Sequence, residues 1–129
     1  MGLTHVKVKV RKDRKAKRVE ALEFLVDSGA VYSVVPRGIL DRLGVEPYEK
    51  ESFFLADGTE VTRDVGDAYF AYRGRGGYSK VVFGEEGDCN LLGVTTLEAF
   101  GFILDPLRRE LRPMPMVLMP TTVRRGIQE

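Results

Sequence analysis

A carboxylate, a hydroxyl and a glycine follow one another at Asp27-Ser28-Gly29, directly after the apolar run Phe24-Leu25-Val26 and before Ala30. The run reads as the end of a strand buried on both faces, and the triplet as a tight turn. A carboxylate at such a junction is costly, because burying a charge without a partner costs on the order of several kcal/mol. Groups kept at that cost usually exchange protons in a reaction or fix an interface. The plainer reading is an Asx turn, in which the Asp side chain bonds its own backbone.

Other chemistries find less support. His5 is the only histidine and lies in a strand pattern, so a Ser-His triad has nothing to build on. Cys89, the only cysteine, stands between Asp88 and Asn90 without an adjacent base, which reads as an inert thiol. It also excludes an intrachain disulfide. One His and one Cys do not make a metal centre, so no metal and no cofactor are expected. The glycine loop Gly74 to Gly77 lacks the Lys-Ser/Thr of a phosphate-binding loop. Glu85-Glu86 reads as a solvated turn.

The elements that must position Asp27 read as short strands. His5 to Val10 alternates polar and apolar, and Arg18 to Val26 begins alternating and ends in the apolar run, so the two form a hairpin leading into Asp27. Val31 to Val35 is rich in β-branched residues. Pro36 opens a short helix to Leu43, with Gly44 as its stop. Asp57-Gly58 joins the arms Ser52–Ala56 and Thr59–Thr62 as a two-residue hairpin turn. Ala68–Tyr72 and Tyr78–Phe83 form another hairpin around a looser loop, Arg73 to Gly77, with Tyr69 and Tyr72 packing on a sheet face. Leu91-Leu92-Gly93 precedes a second helix, with Thr95 as N-cap and Glu98 completing a capping box, ending near Phe100. Phe102–Leu104 and Glu110–Arg112 are the last arms, and Pro113, Pro115 and Pro120 then break regular structure. Strands with turns about every 8–12 residues and two brief helices describe an all-β barrel or sandwich.

The chain has 129 residues and a formal net charge of +1, from 20 Lys and Arg against 19 Asp and Glu. Nothing in that balance calls for nucleic acid, which is not expected as a partner. The cation-dense stretch Lys7 to Arg18 reads as a solvated hairpin whose lysines protect an edge strand. No apolar run approaches the ~20 residues of a membrane span. The first residues lack the apolar segment of a signal peptide, and Val6 stands where a myristoylation signal wants Ser or Thr. The expected location is the cytoplasm, without membrane contact.

Phe-Leu-Val-Asp-Ser-Gly-Ala resembles the active-site turn of aspartic proteases, the retropepsin-like family in particular. Leu91-Leu92-Gly93 is similar to that family's later hydrophobic-hydrophobic-Gly element, and Leu55-Ala56-Asp57-Gly58 to its flap. The resemblance runs over residues 5 to 112 in order and spacing. It implies a closed acid-protease barrel over residues 1–112, with residues 113–129 as a Pro/Met-rich extension packed on it or at an interface between copies. It implies an aspartic endopeptidase in which Asp27 is catalytic, and Ser28, Gly29, Ala30 and Ser33 shape and brace the turn. Ala56, Asp57 and Gly58 would be the flap, and Leu91, Leu92 and Gly93 the support behind the turn. Only one Asp-Ser/Thr-Gly is present, so the dyad needs a homodimer acting on a peptide or protein. Ser28 replaces the commoner Thr, and the cationic hairpin and the tail have no clear counterpart. A catalytically silent binding module on the same fold is the alternative.

Overall fold

Alternation makes strand β1 (His5–Arg11), which buries Val8 and Val10 and turns Lys7 and Lys9 outward. It pairs antiparallel with β2 (Val19–Val26), whose end buries Phe24 and Val26. These belong to a computed structural model that describes residues 3–115 and residue 118. β3 (Ser33–Pro36) and the helix α1 (Arg37–Leu43) follow. Next come β4 (Glu49–Phe54), β5 (Glu60–Tyr72), β6 (Arg75–Gly84) and the short β7 (Leu91–Leu92). The helix α2 (Val94–Ala99) and the hairpin β8 (Phe102–Asp105) with β9 (Glu110–Pro113) complete the described chain.

The main sheet runs β1-β2-β7-β3-β6-β5-β4, and β1 also pairs with β5. That last pairing closes six strands into a ring, with β4 attached outside it. The all-β barrel with two short helices expected from the sequence is therefore present. The ring is filled by Phe24, Val35, Phe70, Val81, Phe83 and Leu92, all fully buried, and Phe24 meets Phe70 edge-on at 6.3 Å. Each such side chain contributes about 1.5–3 kcal/mol by leaving water.

Several boundaries differ from the sequence reading, each for a physical reason. The arms expected at 59–62 and 68–72 are one 13-residue strand, β5. The polar residues between them are consumed by ion pairs, Arg63 with Asp88 and Asp64 with Arg37 and Lys50. Gly66 allows the backbone of Glu46 to cross, since a Cβ there would stand 2.7 Å from its carbonyl oxygen. The looser glycine loop is a two-residue turn at Arg73-Gly74, with φ of 50° and 80° as a type I′ hairpin demands. Gly76 and Gly77 belong to β6, where the Tyr69 ring and the Ala99 backbone occupy the space of a side chain.

Asp57-Gly58 is not a two-residue turn. Gly58 donates to the Leu55 carbonyl (2.9 Å) and Leu55 to that of Thr59 (2.8 Å). Only Gly58, with φ of 89°, is left-handed, so the loop is the three-residue kind that ends in a glycine bulge. Pro36 ends β3 rather than opening α1, while Gly44 caps α1 in the left-handed conformation. The capping box at Thr95 does not form: Gly93 is the N-cap of α2 and no side chain caps it. Pro113 closes β9 rather than breaking the chain before it. Most of the extension, with Met116, Met119 and Pro120, lies outside the described residues. Among the described residues no helix is long and apolar enough to cross a membrane.

Candidate active site

β2 delivers Asp27 to the end of a parallel pairing with β7, in which Leu25 faces Leu91 and Val26 faces Leu92. The ladder continues one step past the strand, because the Asp27 amide donates to the Leu92 carbonyl at 3.1 Å. The chain then reverses: the Ala30 amide donates to the Asp27 carbonyl (3.0 Å) and the Gly29 amide to Asp27 Oδ1 (2.9 Å). The plain reading of Asp27 as an Asx-turn residue thus holds at this atom. The carboxylate is half-buried rather than buried, so in a single chain the desolvation cost assumed above is only partly incurred. Oδ2 has no hydrogen-bond partner among the described residues, and neither does the exposed hydroxyl of Ser28.

The far side of the turn is held by the start of α2. The Ala30 carbonyl accepts the Val94 amide (2.8 Å) and the Val31 carbonyl accepts the Thr95 amide (3.0 Å) and the Thr95 hydroxyl. Gly93 lies so close behind that a Cβ would stand 2.6 Å from the Tyr32 carbonyl carbon. Leu92 is fully buried and Leu91 half-buried, so Leu91, Leu92 and Gly93 physically back the turn.

Ser33 sits elsewhere than on the turn surface. It is fully buried, accepts the Gly93 amide (2.9 Å) and bonds the Thr96 hydroxyl at 2.5 Å, and Thr96 in turn bonds Ser79 at 2.9 Å. Thr96 and Ser79 were missed in the sequence reading. Their signal was parity and period: Ser79 shares the inward face of β6 with Val81 and Phe83, and Thr96 lies four residues before the buried Phe100.

In front of the turn opens a cleft of about 640 Å³. Gly29 and Ala30 form one end, and Tyr32, Phe53, Leu55 and Val61 supply apolar walls. Tyr32 and Phe53 meet edge-on at 6.4 Å. The tip Ala56-Asp57-Gly58 is exposed at the end of the β4–β5 hairpin, whose arms next to the tip line this cleft through Phe53, Phe54, Leu55 and Val61. Behind Ser28, a smaller apolar recess of about 310 Å³ lies between α2 and β8. Asp27 therefore stands on a turn with a cavity on either side.

The cleft holds one charged pair. Arg63 Nε and Nη2 reach Asp88 at 2.8 and 3.1 Å, and the Glu85 amide donates to the same carboxylate at 2.8 Å. Arg63 above all, then that amide, holds the Asp88 carboxyl below its ordinary value of 3.8. The unfolded chain therefore takes up the proton first on acidification. The pair's contribution is present above about pH 4 and is lost as pH falls through the lowered folded-state value. Asp64 and Asp105 are lowered as well, Asp64 first by Lys50 and Arg37, Asp105 first by the Arg108 amide. We expect urea midpoints to fall steadily from pH 5 to pH 3, and Asp88→Asn to flatten that slope. An unchanged slope in the variant would remove Asp88 from this account.

No family model matches this sequence and no curated protein does. Among solved structures, the chain is similar to the solution structure of Simian Foamy Virus (mac) protease. The two share 22% sequence identity at a TM-score of 0.48, over 72% of this chain and 92% of that one.

Proposed function

We propose that this chain is one half of an aspartic endopeptidase, in which Asp27 of two identical chains meets across a two-fold axis. The observation that carries this reading is the Asp27 carboxylate itself. It rides on a turn tied by backbone bonds to β7 and α2, at the mouth of an apolar cleft, with Oδ2 unused by its own chain among the described residues. Two such carboxylates about 3 Å apart cannot both ionise, so the pair would hold one proton between them. The ionised member takes a proton from a water as it attacks the peptide carbonyl, and the protonated member gives its proton to the carbonyl oxygen. Neither a metal nor a cofactor enters these steps.

The surroundings fit an extended apolar peptide. Tyr32, Phe53 and Val61 offer apolar walls, and Phe54 and Leu55 of the β4–β5 hairpin are exposed and line the same cleft, which supports reading that hairpin as a flap over substrate. Exposed Val31 and Ser28, on either side of the turn tip, offer a surface for the second copy.

The test is a mixed peptide library incubated with the full chain from pH 3 to pH 8, with sedimentation measured on the same samples. Cleavage beside apolar residues by a dimer is the expected result. A dimer that cuts nothing across this range would turn the reading to a silent binding module.

A further inference from the structure

Three hydroxyls are sealed in the protein interior with no role in the steps above. Ser33 and Thr96 are fully buried and Ser79 is 7% exposed. They come from three separate elements, β3, α2 and β6. Their contacts form one line: the Gly93 amide to Ser33 Oγ (2.9 Å), Ser33 to Thr96 (2.5 Å), Thr96 to Ser79 (2.9 Å), and Ser79 to the Lys80 carbonyl (3.3 Å). Proton counting fixes its direction. Ser33 already accepts the Gly93 amide, so its own hydrogen needs an acceptor, and Thr96 Oγ1 is the one within reach. Thr96 must then donate to Ser79, and Ser79 to the Lys80 carbonyl. Reversing the line would leave the Ser33 hydrogen without a partner in a site closed to water.

The line ends on the peptide unit that touches Asp27. The amide that Ser33 accepts and the carbonyl that accepts the Asp27 amide belong to the same peptide group, Leu92–Gly93. Its N–H is held on one side by the hydroxyls and its C=O on the other by the Asp27 turn. A hydrogen bond at one end of a peptide group strengthens the bond at the other, because the group polarises as a whole. We propose that Thr96 is a positioning residue for Asp27, acting through Ser33 and the Leu92–Gly93 peptide, with Ser79 orienting its hydroxyl. The kinetic part of this inference rests on the endopeptidase reading, while the structural part does not.

The experiment uses the full chain with Thr96→Val, which keeps the side-chain shape and deletes the hydroxyl, and Thr96→Ser, which keeps the hydroxyl. Amide hydrogen exchange is followed by NMR at Gly93 and Asp27, with amides of the β5–β6 ladder as reference. Turnover is read on a quenched-fluorescence peptide with an apolar cleavage junction. In Thr96→Val, exchange at Gly93 and Asp27 should rise on the order of tenfold against the reference. Its kcat should fall roughly 10- to 100-fold with KM little changed. Thr96→Ser should restore both. Unchanged exchange at Gly93 and Asp27 in folded Thr96→Val would overturn the proposal, as would a Thr96→Ser protein as impaired as the valine variant. If the unsubstituted chain does not cleave, the endopeptidase reading fails and the exchange data alone decide on positioning. If Thr96→Val does not fold, Ser79→Ala decides in its place. It removes the last link only, so faster exchange at Gly93 supports the line and unchanged exchange refutes it.

Discussion

Replacing Asp27 by Asn should lower peptide cleavage by about 10²–10⁴-fold, the range supplied by a positioned acid or base, while leaving the fold intact. An amide oxygen can still accept the Gly29 amide that now bonds Oδ1 at 2.9 Å, so the turn keeps its Asx bond. The site is half-buried and the substitution isosteric, so stability should change by no more than about 0.5 kcal/mol. What an amide cannot do is hold the shared proton or take one from water. The same variant tests whether the site belongs to two chains. If each active site needs Asp27 from both, an equimolar mixture of the two proteins, once exchanged, retains about a quarter of the activity per total chain, because only one pairing in four is intact. If each chain worked alone, the mixture would retain about half. A mixture at half activity would exclude the dimeric dyad even if Asp27→Asn were itself inactive.

The parts of this site legible from sequence are those carried by consecutive residues. Phe24-Leu25-Val26 followed by Asp27-Ser28-Gly29 announces a buried strand breaking into a turn, and β2 ends at Val26. The alternation in His5–Arg11 likewise fixes which side chains of β1 enter the core. What could not be read is pairing between distant segments. Closure of the barrel depends on Lys9, Val10 and Arg11 meeting Ala71, Phe70 and Tyr69, and nothing local to either strand specifies the other. The length of β5 was hidden for a related reason. Arg63 and Asp64 look like a polar break until their partners Asp88, Arg37 and Lys50 are known. Ser33 does lie beside the turn, but its hydroxyl points inward to Gly93 and Thr96, partners about 60 residues away that no short window contains. The I′ turn at Arg73-Gly74 was obscured by Gly76 and Gly77, which are small because Tyr69 and Ala99 lie against them.

Gly93 offers the sharpest test of how the turn is supported, because its backbone is ordinary. With φ of −95° and ψ of 175° it occupies the extended region open to any residue, so substitution by Ala introduces no backbone strain. The whole effect must come from the added methyl, which would stand 2.6 and 2.7 Å from the Tyr32 carbonyl atoms and 3.0 Å from the Ala30 oxygen. Those are backbone atoms of the loop that carries Asp27, and they cannot rotate away. The Ala30 oxygen also accepts the Val94 amide at 2.8 Å, so moving it loosens the tie to α2. Overpacking of this kind costs about 1–3 kcal/mol. A displacement of about 1 Å at a reacting group can cost roughly 100-fold in rate. Gly93→Ala should therefore lower the urea midpoint and kcat together. Gly38→Ala is the matched control: it lies in α1 with nothing within 4 Å of its added methyl, and helix propensity there favours Ala by about 1 kcal/mol. Lost stability in Gly93→Ala with undiminished turnover would mean that the protein relaxes away from the Asp27 loop. The placement of Asp27 would then be owed to the β2–β7 pairing and not to the close approach of Gly93.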